Sequence, residues 1–305
     1  MTDPRKRIIN LLEKCADGAY YSFQVFDDWL DLVLACLIAL PGHLKAQAMG
    51  EVYQDTEQTS QLFEKLRGKY KKPEYFDWFT QAFAELLNST DTYQDVVGDV
   101  YMGMNISNKR TGQYFTPFAI AKAMAEISLM DIEKQLYDRV KQAVLNDPLG
   151  QAVTLAGIAL PENSKELESY FYTNILPSVA DKVDPIKIMD PCCGSGVMLL
   201  ASASCIPRWA IEYNLVHFYG MDLDLTCVKM AQVNMMLYGL NGYWIQCALS
   251  LPAETLKAIP EPYQSAYAEA QTAQQAGDLE KVEIISKAIR NGDYIQSPLF
   301  EYAEV

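Results

Sequence analysis

Apolar positions recur at helical spacing through the first hundred residues, marking helices with one buried stripe each. Ile8, Leu11 and Leu12 begin one stretch, and residues 26–40, 76–87 and 93–104 carry three more. No strand-like alternation and no internal repeat intervenes. The densest apolar run, 29–40, is broken by Asp31. It is too short and too polar to span a bilayer and predicts a buried helix. After a loop at 105–110, Ile120, Met124 and Ile127 predict another apolar helical face. Thr116 reads as its N-cap and Pro117 as its first residue. Residues 131–185 form a long connection punctuated by Pro148, Pro161 and Pro177, with helical character at 132–145 and 166–176.

The pattern then changes. Ile186-Lys187-Ile188-Met189 is a short apolar strand ending in Asp190, and 197–203 favours a helix. A second strand over 216–221 ends in Asp222. A helix bearing Val228, Ala231 and Met235 closes near Gly239, and a third strand covers 243–247. Strand and helix alternating in this way predict an α/β fold with a mostly parallel, doubly wound sheet. Residues 252–291 are polar and alanine-rich and predict two helices, broken near Pro260-Glu261-Pro262 and Gly277-Asp278. The expected organisation is a helical N-terminal domain over 1–108, an α/β domain over 109–250 with 131–185 as a helical connection, and a helical extension over 251–305.

Chemistry concentrates at the turn Asp190-Pro191-Cys192-Cys193-Gly194-Ser195-Gly196. Glycines between a strand and a helix let backbone approach a ligand closely, and an acid at a strand's end can hold a charged or hydroxylated group. Two further stretches bear on this turn. Upstream, Gly112-Gln113-Tyr114-Phe115-Thr116-Pro117 either starts a helix or lines a site. Downstream, Asp222 either accepts hydrogen bonds from ribose hydroxyls or caps the following helix, a task Asp224 would serve equally well.

Taken together and in this order, these stretches resemble the S-adenosylmethionine-binding half of adenine-N6 DNA methyltransferases, most closely the modification subunits of type I restriction systems. The resemblance covers about residues 95 to 249. It implies a Rossmann-like S-adenosyl-L-methionine-dependent methyltransferase domain. In that family a Gln-Tyr/Phe-Phe/Tyr-Thr-Pro segment packs on the cofactor, which assigns that role to Gln113, Tyr114, Phe115, Thr116 and Pro117. An Asp-Pro-x-x-Gly-Ser/Thr-Gly turn cradles the methionine end, matching Asp190, Gly194, Ser195 and Gly196, with Cys192 at a variable position. The acid after the second strand, here Asp222, binds the ribose, and Leu223 offers the adenine an apolar contact.

Two departures bear on mechanism. Where relatives place Asp or Asn after the third strand to meet the cofactor's adenine amine, this chain has Cys247, a weak hydrogen-bonding partner. The family also presents the target amine with Asn/Asp/Ser-Pro-Pro-Tyr/Phe, and no such tetrapeptide occurs in this sequence. The nearest approach is Ser297-Pro298-Leu299-Phe300, which lacks the second proline and an apolar strand before it. A terminal turn is the better reading of Ser297, Pro298 and Phe300 than a catalytic loop.

Charge sharpens the functional expectation. Thirty-nine acids against 25 bases leave a net charge of −14, whereas a protein that grips a duplex unaided usually presents a basic face. The local exception, 65–72, contains five Lys or Arg and reads as a solvated loop, with a smaller pair at Lys109-Arg110. A protein partner is therefore expected to supply DNA recognition and further catalytic elements, so that DNA is reached through the complex. Seven cysteines without metal-ligand spacing, and a start without the apolar core of a signal peptide, point to reduced thiols in the cytoplasm, no metal and no membrane. The alternative is a catalytically inactive, methyltransferase-like regulatory or assembly subunit. Methylation of a protein or small molecule ranks last, because no residue points to such a substrate.

Overall fold

The structure, a computed structural model, describes residues 3–16, 20–106 and 115–246. The helical part begins with α1 (Pro4–Cys15), where proline opens the helix and Asp3 accepts a hydrogen bond from the Arg5 N–H at 3.1 Å. It continues with α2 (Ser22–Met49), α3 (Glu57–Lys69), α4 (Pro73–Leu87) and α5 (Val96–Gly103). Ile8, Leu12, Phe26, Trp29, Phe79 and Tyr101 are buried together between them.

Two expectations change here. The second helix does not stop near residue 40: α2 runs through Pro41 and ends at Gly50 in a left-handed cap, φ 70°. Only its first part is packed, and Ile38, Leu40 and Leu44 face solvent. The basic stretch is not a solvated loop throughout. Residues 65–69 form the end of α3, capped at its start by Thr56, and Lys69 is spent on a short ion pair with Asp28. Tyr70 donates to the same carboxylate oxygen at 2.6 Å.

The connection folds as α6 (Phe118–Ser128), α7 (Ile132–Asn146), α8 (Pro148–Gly157), α9 (Lys165–Tyr170) and the short α10 (Leu176–Val179), with one π-helical turn at Phe171–Ile175. Pro148 starts a helix instead of breaking one, because Asp147 caps it by accepting from Gly150 N–H at 2.7 Å. In α6 the expected cap moves by one residue: Pro117 is the cap, without a side-chain bond. Its expected apolar face is also reversed. Ile120 is 54% and Ile127 71% exposed, while Ala121 and Ala125 are fully buried against Val197 and Ala201. Small residues allow the two helix backbones to approach closely, a choice that hydrophobic periodicity does not encode.

The sheet is small and parallel. Strands β1 (Ile186–Asp190), β2 (Val216–Asp222) and β3 (Gly242–Gln246) lie in the order β1-β2-β3. Ile186 stands opposite Val216, Asp190 opposite Gly220, and Phe218 opposite Gly242. Parallel neighbours need a crossover. The first is α11 (Val197–Cys205) with α12 (Arg208–Glu212), and the second is α13 (Leu225–Leu237). Mostly helical, with three parallel strands among the described residues, the chain places both strand-ending acids at the carboxyl end of the sheet.

Helix α13 explains how the helical part meets the sheet. Cys227, Met230 and Val233 enter the helical core, whereas Ala231 and Met235 enter the core around Ile188, Leu200 and Phe218. A helix buried on nearly all sides must be apolar all round. Its one cation, Lys229, is held by Asp27 and Asp31 of α2, at 3.1 and 2.7 Å.

A candidate cofactor turn at the carboxyl end of the sheet

Residues 191–196 leave β1 and enter α11 through two glycines with positive φ, Gly194 at 53° and Gly196 at 85°. A Cβ on Gly196 would meet Ala231 Cβ and Met235 Cε at 3.2 Å, so glycine there lets the turn lie against α13. A Cβ on Gly194 would stand 3.1 Å from the Phe115 ring. The Gly194 N–H donates to Asp222 Oδ2 at 2.9 Å, and Cys193 N–H to the Met221 carbonyl at 2.8 Å. Three stretches separated in sequence thus meet at one residue. Phe115, Gly194 and Asp222 are together.

The two acids differ in state. Asp190 is buried and accepts from the Cys192 N–H at 3.0 Å. Burial, opposed by that bond and reinforced by the neighbouring Asp222 charge, pushes its carboxyl up to about 6. Asp222 is partly exposed, and its second oxygen accepts from the Asp224 N–H at 2.9 Å. Asp224 caps α13, accepting from Thr226 N–H at 2.9 Å. Capping is therefore the work of Asp224.

The remaining expected residues fall variously. Thr116 and Pro117 lead from Phe115 into α6. Leu223 is 43% exposed beside Asp222. Cys192 is half-buried, and Cys193 is buried with its thiol pushed well above the ordinary range. Ser195 is fully buried and its hydroxyl donates to Asp95, so its side chain turns inward. Gln113, Tyr114, Lys109, Arg110, Cys247, Ser297, Pro298 and Phe300 lie outside the described residues, as do the two helices expected over 252–291.

Sequence reading missed the group behind the turn. Asp95 caps α5, accepting from Gly98 N–H at 2.8 Å, and also accepts from Ser195 Oγ and from Asn234 Nδ2, the latter at 2.8 Å. Tyr101 of α5 stacks on Phe115, with ring centroids 5.6 Å apart and planes at 29°. The one legible signal was Asn234, a polar residue inside the apolar run of α13. A separate open groove of about 410 Å³ lies beside Asp184, ahead of β1. Its Arg139 and Lys182 are both spent on ion pairs, with Asp184 and Asp147. No group of residues suited to a metal ion occurs among the described residues.

The sequence around the turn matches a known family. Residues 167–264 fit the model of the N-6 DNA methylase family. Over this segment the chain is similar to the adenine-N6 DNA methylases. A putative type II restriction enzyme and methyltransferase of Methanocaldococcus jannaschii is 27% identical over 197 residues, covering 59% of this chain and 16% of the relative. The type I restriction enzyme MjaIX methylase subunit of the same organism is 23% identical over 157 residues, covering 50% of this chain and 25% of the relative. The similarity thus spans a quarter or less of each relative's length. No solved structure matches the chain. Among the described residues no helix is long and apolar enough to cross a membrane.

Proposed function

We propose that this chain is a member of the adenine-N6 methylase family, binds S-adenosyl-L-methionine at the 190–196 turn, and acts in DNA methylation or restriction-modification with a partner subunit. One observation carries the reading: Phe115, Gly194 and Asp222 meet at the carboxyl end of a parallel sheet, where such folds hold nucleotides.

The residues suit the ligand. Gly194 leaves the turn without a Cβ beside the Phe115 ring. Asp190 and Asp222 are two carboxylates for a cationic, hydroxyl-bearing molecule, and Phe115 is an apolar wall. When bound, the sulfonium supplies an already reactive methyl group, so the protein's share is alignment and electrostatics. Asp222 would accept from the ribose, the turn would hold the amino-acid end, and Leu223 would cover the adenine.

Presentation of a target amine is assigned to an element outside this sequence, because no Asn/Asp/Ser-Pro-Pro-Tyr/Phe tetrapeptide occurs in it. The net charge of −14 supports the same division for DNA recognition. A relative named as a type I methylase subunit supports work in a complex. The missing tetrapeptide also favours a second reading, a cofactor-binding regulatory or assembly subunit without turnover.

Calorimetry with S-adenosyl-L-methionine tests the binding claim; no heat at millimolar ligand would sink it. Methyl transfer to DNA by the chain, alone and with the product of its genomic neighbour, then separates the two readings. Binding with transfer only in the mixture supports the first. Binding without transfer in either supports the second.

A further inference from the structure

Asp95 accepts three hydrogen bonds, and a helix cap needs only one of them. Oδ1 takes the Gly98 N–H, which completes the N-terminus of α5. The same oxygen takes Asn234 Nδ2 from α13, and Oδ2 takes the Ser195 hydroxyl from the glycine turn. Asn234 Nδ2 also donates to the Ser195 carbonyl at 2.8 Å, so the turn is held at both side chain and backbone. Ser or Asn would cap α5 as well as Asp without burying a carboxyl. Both carboxylate oxygens are used only because the turn and α13 converge on them. Gly98 keeps the space open: a Cβ there would collide with the Asp95 carboxylate and stand 2.7 Å from Ser195 Oγ. The same helix reaches the other wall of the site, because Tyr101 stacks on Phe115 and Phe115 packs against Gly194.

We infer that Asp95 is the positioning residue of the glycine turn, fixing Ser195 so that the helical region, and not the sheet alone, sets the shape of the ligand cradle. This rests on the proposed cofactor site for its ligand readout, and on the hydrogen bonds alone for its conformational one. Without Asp95 the Ser195 hydroxyl and Asn234 amide lose their common acceptor while buried, and the turn is freed from α5.

The test compares D95A, D95N and S195A with the parent chain by hydrogen–deuterium exchange and by calorimetry with S-adenosyl-L-methionine. In D95A and S195A, peptides spanning 191–197 should exchange about tenfold faster, with α4 unchanged. D95N should stay near the parent: its amide oxygen replaces Oδ1, and the Ser195 hydroxyl can turn to accept from its NH₂. Ligand affinity should fall about tenfold in D95A and S195A and recover in D95N. Turn exchange unchanged in S195A, or accelerated equally in α4, would overturn the assignment, as would failure of D95N to rescue. S195A leaves the α5 cap intact, so it decides the matter if D95A does not fold. A parent chain that binds no ligand defeats the proposed function, while the exchange comparison still judges Asp95.

Discussion

At the scale of single residues, the two acids at the strand ends do different work. Asp222 joins the turn to β2 and is the proposed ribose acceptor, so Asp222→Ala should weaken S-adenosyl-L-methionine binding by about 1–3 kcal/mol in calorimetry. Unchanged affinity would move the ribose contact elsewhere. Asp190 predicts a pH dependence. Burial holds its carboxyl up to about 6, so it is ionised at neutral pH and becomes neutral as pH falls through 6. A ligand with a sulfonium and an ammonium prefers the ionised form, and its affinity should therefore drop between pH 7.5 and 5.5. Asp95 titrates in the same range, held up to about 6 chiefly by burial, so the comparison that isolates Asp190 is Asp190→Asn, whose profile should be flatter. Equal pH dependence in both proteins would place the titrating group elsewhere. Both acids were chosen from the sequence by their position after an apolar run. The bonds that distinguish Asp222 from Asp224 were not legible, because they depend on which carboxylate faces back toward Gly194.

Among the elements, α13 and α6 show where periodicity succeeds and fails. Val228, Ala231 and Met235, singled out on α13 from the sequence, are buried, yet its second buried face, against α2 and α5, is set by docking onto distant segments, α2 being about 200 residues away. Lys229 sits in that joint between Asp27 and Asp31, mostly shielded from solvent. Lys229→Ala should cost about 1–3 kcal/mol, since it leaves two neighbouring carboxylates unpaired in a partly desolvated place. Chemical denaturation would detect this as a lower midpoint with little change in slope. No change would mean that water replaces the lysine without penalty. In α6, periodicity selected the large side chains, and the structure buries the alanines. Close packing on α11 rewards small residues, so the face with the greater hydrophobicity stays outside.

For the whole molecule, charge governs what the chain can do alone. A net charge of −14 opposes approach to a polyanion. By itself the chain should bind duplex DNA with a dissociation constant of about 10⁻⁴ M or weaker at physiological salt, measured by fluorescence anisotropy. Submicromolar binding with a steep salt slope would remove the need for a partner in DNA recognition. Buried carboxyls also shape stability. For Asp95 and Asp190 the folded state holds the proton more tightly than the unfolded chain, so their contribution falls as pH rises from about 4 to about 6 and is level above that. Ordinary paired acids such as Asp147, whose carboxyl is lowered by Lys182, act in the opposite direction.

Local information was enough for the helical character of the first hundred residues, though not for α3 or the full length of α2, and for the three parallel strands and the glycine turn with its flanking acids. Those features depend on spacing and on backbone requirements that each residue carries with it. Only tertiary structure decided that Ser195 faces inward to Asp95, that Phe115 lies over Gly194, and that α13 serves two cores. These are contacts between segments distant in sequence, up to about 200 residues apart, and their geometry is chosen by packing and by the need to satisfy buried polar groups, neither of which leaves a local period in the chain.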